Sequence, residues 1–179
     1  GAMAEIVSNQ IPLELRQNQG WVNWKSEQYP DEKKPRKIPY NPKTGHQAKV
    51  NEPETWGSFK QSLKGLQKFK ASGIGVMIRK GLIGIDLDNA VEHEGKAKSE
   101  AQKIISRIPT YWELSPSEKG FHGYVFGSLP QGHRTRKKLG DGSSLEVYSS
   151  NRYFTVTGKS ISKINEISRN QDCACLLYT

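Results

Sequence analysis

The sequence predicts an α+β domain built on mainly antiparallel sheet and flanked by helices. Three observations predict it. Short stretches that alternate with period two, or are rich in β-branched and aromatic residues, outnumber stretches with helical spacing. The helical stretches are scattered among them rather than grouped. The length, 179 residues, allows one compact domain with a real core and is too short for two large ones.

Composition narrows the class. Residues are 34% hydrophobic and 25% charged, as in soluble globular proteins. No apolar run is long enough to span a bilayer and no signal-peptide pattern is present, so the expectation is a cytoplasmic protein without a membrane partner. The formal net charge is +9. Either a lysine-rich solvated surface or an anionic polymer as partner accounts for that. The two cysteines, Cys173 and Cys175, have no spaced Cys or His partners to close a zinc site, and read as reduced thiols without a role. Gly1-Ala2-Met3 reads as a tag remnant.

Residues 5–20 read as a short helical lead-in, with Pro12 near a helix start. Trp21-Val22-Asn23-Trp24 is a strand, residues 29–34 a hairpin loop, and Lys37-Ile38-Pro39-Tyr40 an edge strand because of its proline. Asn41-Pro42-Lys43-Thr44-Gly45 is a turn. Asn51-Glu52-Pro53-Glu54 is expected to open a helix whose stripe is Trp56, Phe59, Leu63 and Leu66. Gly75-Val76-Met77-Ile78 is a core strand, and Arg79-Lys80-Gly81 is expected to turn it into the next strand as a hairpin or close to one. Residues 92–95 read as a loop, 97–108 as a helix, and 111–114 as extended chain. A polar turn over 115–120 leads into a strand over 121–126. A basic loop covers 129–142, and strands cover 144–148 and 153–157. From Ser162 the chain is polar and expected to be helical, ending in a tail over 161–179.

The chemistry centres on Gly84-Ile85-Asp86-Leu87-Asp88. Alternation puts Ile83, Ile85 and Leu87 on one face and both carboxylates on the other, with Gly84 expected to leave open space beside them. Two anions so close need a positive partner, and oxygen ligands on a strand suit Mg²⁺ or Mn²⁺ shared with phosphates. Taken alone, such a pair is more often a strand end with its acids facing solvent.

Three further stretches point the same way. The Ser115-Pro116-Ser117-Glu118-Lys119-Gly120 turn and His122 offer backbone N–H groups, a hydroxyl and an imidazole to phosphate oxygens. In Leu145-Glu146-Val147-Tyr148 the glutamate faces away from the core side and is a candidate third acid. Arg152 follows one short connection later, placed to clamp a phosphate or to pair with Glu146.

In combination these stretches resemble the primase-polymerase domain of phages, plasmids and mobile elements, within the archaeo-eukaryotic primase superfamily. The resemblance runs from Trp21 to Gly158. It includes Lys37-Ile38-Pro39-Tyr40-Asn41-Pro42, Gly73-Ile74-Gly75-Val76, Gly84-Ile85-Asp86-Leu87-Asp88-Asn89, Ser115-Pro116-Ser117 with Gly120 and His122, Glu146-Val147-Tyr148, and Arg152-Tyr153-Phe154-Thr155-Val156-Thr157-Gly158. It implies an RRM-like catalytic core over 4–160 and template-directed, two-metal nucleotidyl transfer with Mg²⁺ or Mn²⁺. It assigns Asp86, Asp88 and Glu146 to metal, His122 to the triphosphate, and Ser117, Lys119 and Arg152 to the nucleotide. Glu118 departs from the family, which often has glycine there. Template DNA and nucleoside triphosphates are the implied partners. Many family members continue into a helicase, so a helicase partner and an excised domain are expectations. Lys37, Arg134, Arg136, Lys137 and Lys138 are candidate template contacts, with solvated loop as the equal reading for 134–138. Two rivals share the acids or the charge: a two-metal nuclease, and a non-catalytic replication-initiator or single-strand-binding module.

Overall fold

A computed structural model describes residues 5–169. A short 3₁₀ turn (Ser8–Gln10) and a one-turn helix, α1 (Leu13–Arg16), lead into strands β1 (Trp21–Glu27) and β2 (Arg36–Tyr40). Helix α2 (Phe59–Lys68) precedes β3 (Gly73–Ile78) and β4 (Leu82–Asp88). A small hairpin, β5 (Val91–His93) and β6 (Lys96–Ala97), leads to helix α3 (Ser99–Arg107). Strands β7 (Trp112–Leu114), β8 (Phe121–Phe126), β9 (Arg136–Lys138), β10 (Ser144–Tyr148), β11 (Arg152–Val156) and β12 (Ser168–Arg169) complete it. The mixture is α+β with mainly antiparallel pairing; among the described strands only β12 runs parallel, beside β8.

The strands form two principal sheets. The first has the order β11-β3-β1-β2, so the proline-containing β2 is indeed an edge. The second has the order β12-β8-β4-β10-β9, with β7 also paired to β8. One core joins them: Leu15, Leu66, Trp21, Ile74, Val76 and Phe154 meet Leu82, Tyr111 and Tyr124. A second core lies on the other face of the second sheet, where Ile83, Ile85, Leu87, Leu145 and Val147 pack with Ala101 and Ile104 of α3. These are the faces that period-two and helical spacing require. Trp21, Trp24 and Trp56 are all buried.

Several local expectations are corrected. Arg79-Lys80-Gly81 does not make a hairpin: β3 and β4 lie in different sheets, and the turn, with Lys80 and Gly81 at positive φ, carries the chain between them. Pro53–Thr55 is a separate 3₁₀ turn rather than the start of α2. The helix begins after Ser58, whose hydroxyl accepts from Gln61 N while Gln61 returns to the Ser58 N–H. Trp56 therefore leaves the helical stripe and packs with Val22, Ala48 and Met77. The 92–95 loop is the turn of the β5–β6 hairpin. The basic loop contains a strand, β9, because its backbone completes the edge of β10. Residues 161–169 hold no helix; they run beside β7 and end as β12. Cys173 and Cys175 lie outside the described residues. Among the described residues no helix is long and apolar enough to cross a membrane.

Candidate active site

The inner face of the second sheet is graded by rows that run across its strands. Leu82 pairs with Phe126, and Gly84 with Tyr124 and Tyr148. In the next row His122, Asp86 and Glu146 stand side by side, flanked by Glu113 on β7 and Arg136 on β9. Beyond it, Asp88 pairs with Ser144 and Ser144 with Lys138. Directly opposed residues share a face, so one row carries five ionisable side chains from five strands.

Asp86 and Glu146 are partly buried, their side chains 25% and 17% exposed. Cations approach from several directions. Arg136 Nε lies 3.6 Å and Arg152 Nη2 3.9 Å from the Glu146 carboxylate. His122 Nε2 lies 3.5 Å from Asp86 Oδ1. Asp88 is half exposed and turns to Lys34, 3.7 Å away. Among the described residues no three His, Cys, Asp or Glu side chains converge as a closed ligand set. The donor set is nevertheless hard carboxylate oxygen on a stiff sheet. That fits Mg²⁺ or Mn²⁺, which keep waters and share phosphate ligands rather than needing an all-protein cage.

His122 is oriented by the first sheet. Its Nδ1 donates to the Thr155 carbonyl at 3.0 Å, on the edge of β11. The same carbonyl accepts from the Tyr124 hydroxyl at 3.3 Å. With Nδ1 so engaged, Nε2 is the nitrogen presented to Asp86. The ring also packs 5.0 Å from Phe154. Burial pulls the imidazole pKa down, but the bond and charge of Asp86 and the charge of Glu113 outweigh it, and the net shift is upward. Burial pushes the Asp86 pKa up, yet His122, Arg152 and Lys37 hold it below the usual carboxylate range.

A cleft of about 430 Å³ opens beside this row. Asp86, His122, Arg152 and Thr155 line it together with Lys37 and Tyr153. Tyr153 lies flat on the first sheet because Gly75 has no side chain: a Cβ there would sit 2.6 Å from the tyrosine ring. Its hydroxyl donates to the Lys37 carbonyl, bringing β2 to the cleft wall.

Gly84 does not leave open space. A Cβ there would meet Phe154 at 2.7 Å, so the aromatic ring fills the place beside Asp86. Ser117 and Lys119 do not line the cleft. Their turn is closed on itself by Ser115 and packs against the Asp88 end of β4, where a Cβ on Gly120 would strike Leu87 O. Glu118 takes φ +61° in that turn and points outward, to Lys159 at 3.9 Å. Arg136 and Lys138 share the Asp86 face, Lys137 takes the opposite one, and Arg134 is exposed in the preceding loop.

Tyr148, which alternation puts on the Glu146 face, and Lys34 also neighbour the site, as do Glu113 and Phe154, to which the sequence gives no role. Arg152 stacks over the Tyr148 ring at 4.3 Å, and that ring packs edge-on against Phe154. For Glu113 a signal exists: a hairpin closed over 115–120 puts residue 113 opposite 122.

No protein-family profile matches the chain. The DNA primase-polymerase of Nitratiruptor phage NrS-1 is 39% identical over 142 residues, which is 78% of this chain and 19% of that protein. The chain thus spans about a fifth of that relative's length. That identity, over the greater part of this chain, supports a primase-polymerase domain.

Proposed function

We propose that this chain is a catalytic domain that joins nucleotides on a DNA template; its phage relative is named a DNA primase-polymerase. The observation that carries the reading is the row of Glu146, Asp86 and His122 on one sheet face, with Arg152 and Lys37 around the adjoining cleft. Carboxylates set side by side with cations around them suit a charged triphosphate better than a neutral ligand.

In this reading Asp86 and Glu146, with Asp88 from the next row, hold Mg²⁺ or Mn²⁺. The bound cations supply charge neutralisation at the reacting phosphates and activation of the attacking hydroxyl. His122 donates from Nε2 to a phosphate oxygen, its other nitrogen pinned by Thr155. Arg152 leaves its long contact with Glu146 to take a phosphate oxygen pair. Ser117 and Lys119 assist from the turn at the Asp88 end. Lys37, Arg134, Arg136, Lys137 and Lys138 meet template phosphates, with Arg136 and Lys138 nearest the acids. The catalytic unit is residues 4–160, acting in the cytoplasm of a bacterial, archaeal or phage-infected cell, with a helicase domain or protein as partner.

The test supplies template, with and without primer, nucleotides and Mg²⁺ or Mn²⁺. Extension by the wild type and its loss in Asp86→Ala/Asp88→Ala is the expected result. Equal extension by both proteins defeats the assignment. Degradation of DNA without nucleotides indicates the nuclease. Salt-sensitive DNA binding with no extension at all indicates the initiator or single-strand-binding module.

A further inference from the structure

Glu113 has no part in the reaction just described, yet it is 0% exposed and sits in the same cross-strand row as His122 and Asp86. A carboxylate taken fully out of water is costly unless it is well bonded. Here it accepts three hydrogen bonds: from the Tyr111 hydroxyl at 2.8 Å, Thr157 N at 2.9 Å and Gly158 N at 3.1 Å.

The two amides belong to the chain directly after β11. At Gly158, which has φ +72°, that chain leaves the first sheet and passes alongside β7. Leu114 N donates to Lys159 O, Ile161 N to Trp112 O, and the Thr157 hydroxyl to Leu114 O. Two residues upstream, Thr155 O holds His122 Nδ1. The end of β11 is therefore attached to the second sheet at two neighbouring points: Thr155 through His122 and Tyr124, and Thr157-Gly158 through Glu113 together with the Thr157 hydroxyl on Leu114 O.

We propose that Glu113 is a positioning residue. It fixes the end of β11 on the β7–β8 hairpin, and so sets where the Thr155 carbonyl holds the His122 ring and where Arg152 enters the cleft. These three donors use both oxygens of the carboxyl group. Glutamine offers one acceptor oxygen and would turn an N–H donor toward the Thr157 or Gly158 amide, which also donates. The role rests on the nucleotide reading of the cleft.

The experiment compares wild type, Glu113→Gln and Leu66→Ala. The last loosens the shared core from α2, at a residue that does not line the cleft. Thermal melts rank stability, primer extension gives KM for the nucleotide and kcat, and NMR follows exchange of the Thr157 and Gly158 amides and of the His122 Nδ1 proton. Glu113→Gln should raise KM about tenfold and speed exchange at all three sites, with kcat changed far less. Leu66→Ala, at equal or greater loss of stability, should leave KM within about twofold and the three protons protected. An unchanged KM in Glu113→Gln overturns the proposal and leaves Glu113 a fold-holding residue. If the wild type neither binds nor uses triphosphates, the functional reading fails separately. The His122 proton then decides: faster exchange in Glu113→Gln sustains the positioning role, and unchanged protection refutes it. Should Glu113→Gln not fold, Tyr111→Phe removes one donor only. It should move KM and the His122 proton in the same direction by a smaller factor, and no movement in either refutes the role.

Discussion

Glu146 stands directly opposite Asp86 across the β4–β10 ladder, and both side chains rise from the same face. Asp88, two residues further along β4, is drawn outward to Lys34. The two inner acids are thus the pair best held for a shared cation. Replacing either by alanine should lower extension by about a hundredfold or more, while Asp88→Ala should cost less. Chelation of divalent cations should abolish extension, and Mg²⁺ or Mn²⁺ should restore it. Steady-state rates of the three single variants check the order; an Asp88→Ala enzyme weaker than Asp86→Ala would reverse it.

Asp86 and His122 should stabilise the fold most in mildly acid solution. The carboxyl is held low, so its contribution is complete above the unfolded value of about 3.9 and fades as pH falls through the folded one. The imidazole is held high, so its contribution is complete below about 6.5 and fades as pH rises through its folded value. The pair therefore contributes fully from about pH 4 to 6.5 and less on either side. In Asp86→Asn, burial remains while the charged partner is gone, so the His122 pKa should fall relative to wild type. NMR titration of the His122 ring and thermal melts against pH test both halves. A His122 titration unmoved by the substitution would show that Asp86 does not set it.

Gly84→Ala tests the packing of Phe154 on β4. The added Cβ would lie 2.7 Å from the ring and 2.9 Å from Ile78 Cδ1. Overpacking of this kind should cost about 1–3 kcal/mol. It should also push Phe154 against His122, whose rings are 5.0 Å apart, and weaken triphosphate binding. Denaturant unfolding and a nucleotide titration measure the two effects, and a fully stable variant would mean the ring moves freely aside.

Glu118→Gly should stabilise the protein. Glu118 holds φ +61°, a conformation that costs a side-chain-bearing residue about 1–2 kcal/mol and glycine almost nothing. The substitution also removes the ion pair to Lys159, but at 3.9 Å that pair is long and exposed on the glutamate side. After the greater freedom of glycine in the unfolded chain is allowed for, a gain of about 0.5–1 kcal/mol is expected. Chemical denaturation reads it, and a loss of stability would mean that the Lys159 pair matters more than the strained backbone.

Parity along single strands is legible from the sequence alone. It puts Asp86 with Asp88 and Glu146 with Tyr148 on faces opposite to their apolar neighbours, because side chains alternate whatever the strand pairs with. The resemblance then ties distant stretches to one chemistry. Local geometry also allows the closed 115–120 turn to be read, and the Glu113–His122 pairing follows from it.

Beyond the local hairpins β1–β2 and β7–β8, tertiary structure alone decided which strands meet. A three-residue turn such as Arg79-Lys80-Gly81 serves a hairpin or a crossing between sheets equally well, and only the burial of both sheets' faces selects the crossing. The space beside Gly84 is taken by Phe154 from the other sheet, which no spacing along β4 encodes. Likewise the Thr155 carbonyl that orients His122 is 33 residues away in the chain. Periodicity records how each segment divides apolar from polar surface; which segments then share that surface is settled by packing over the whole molecule.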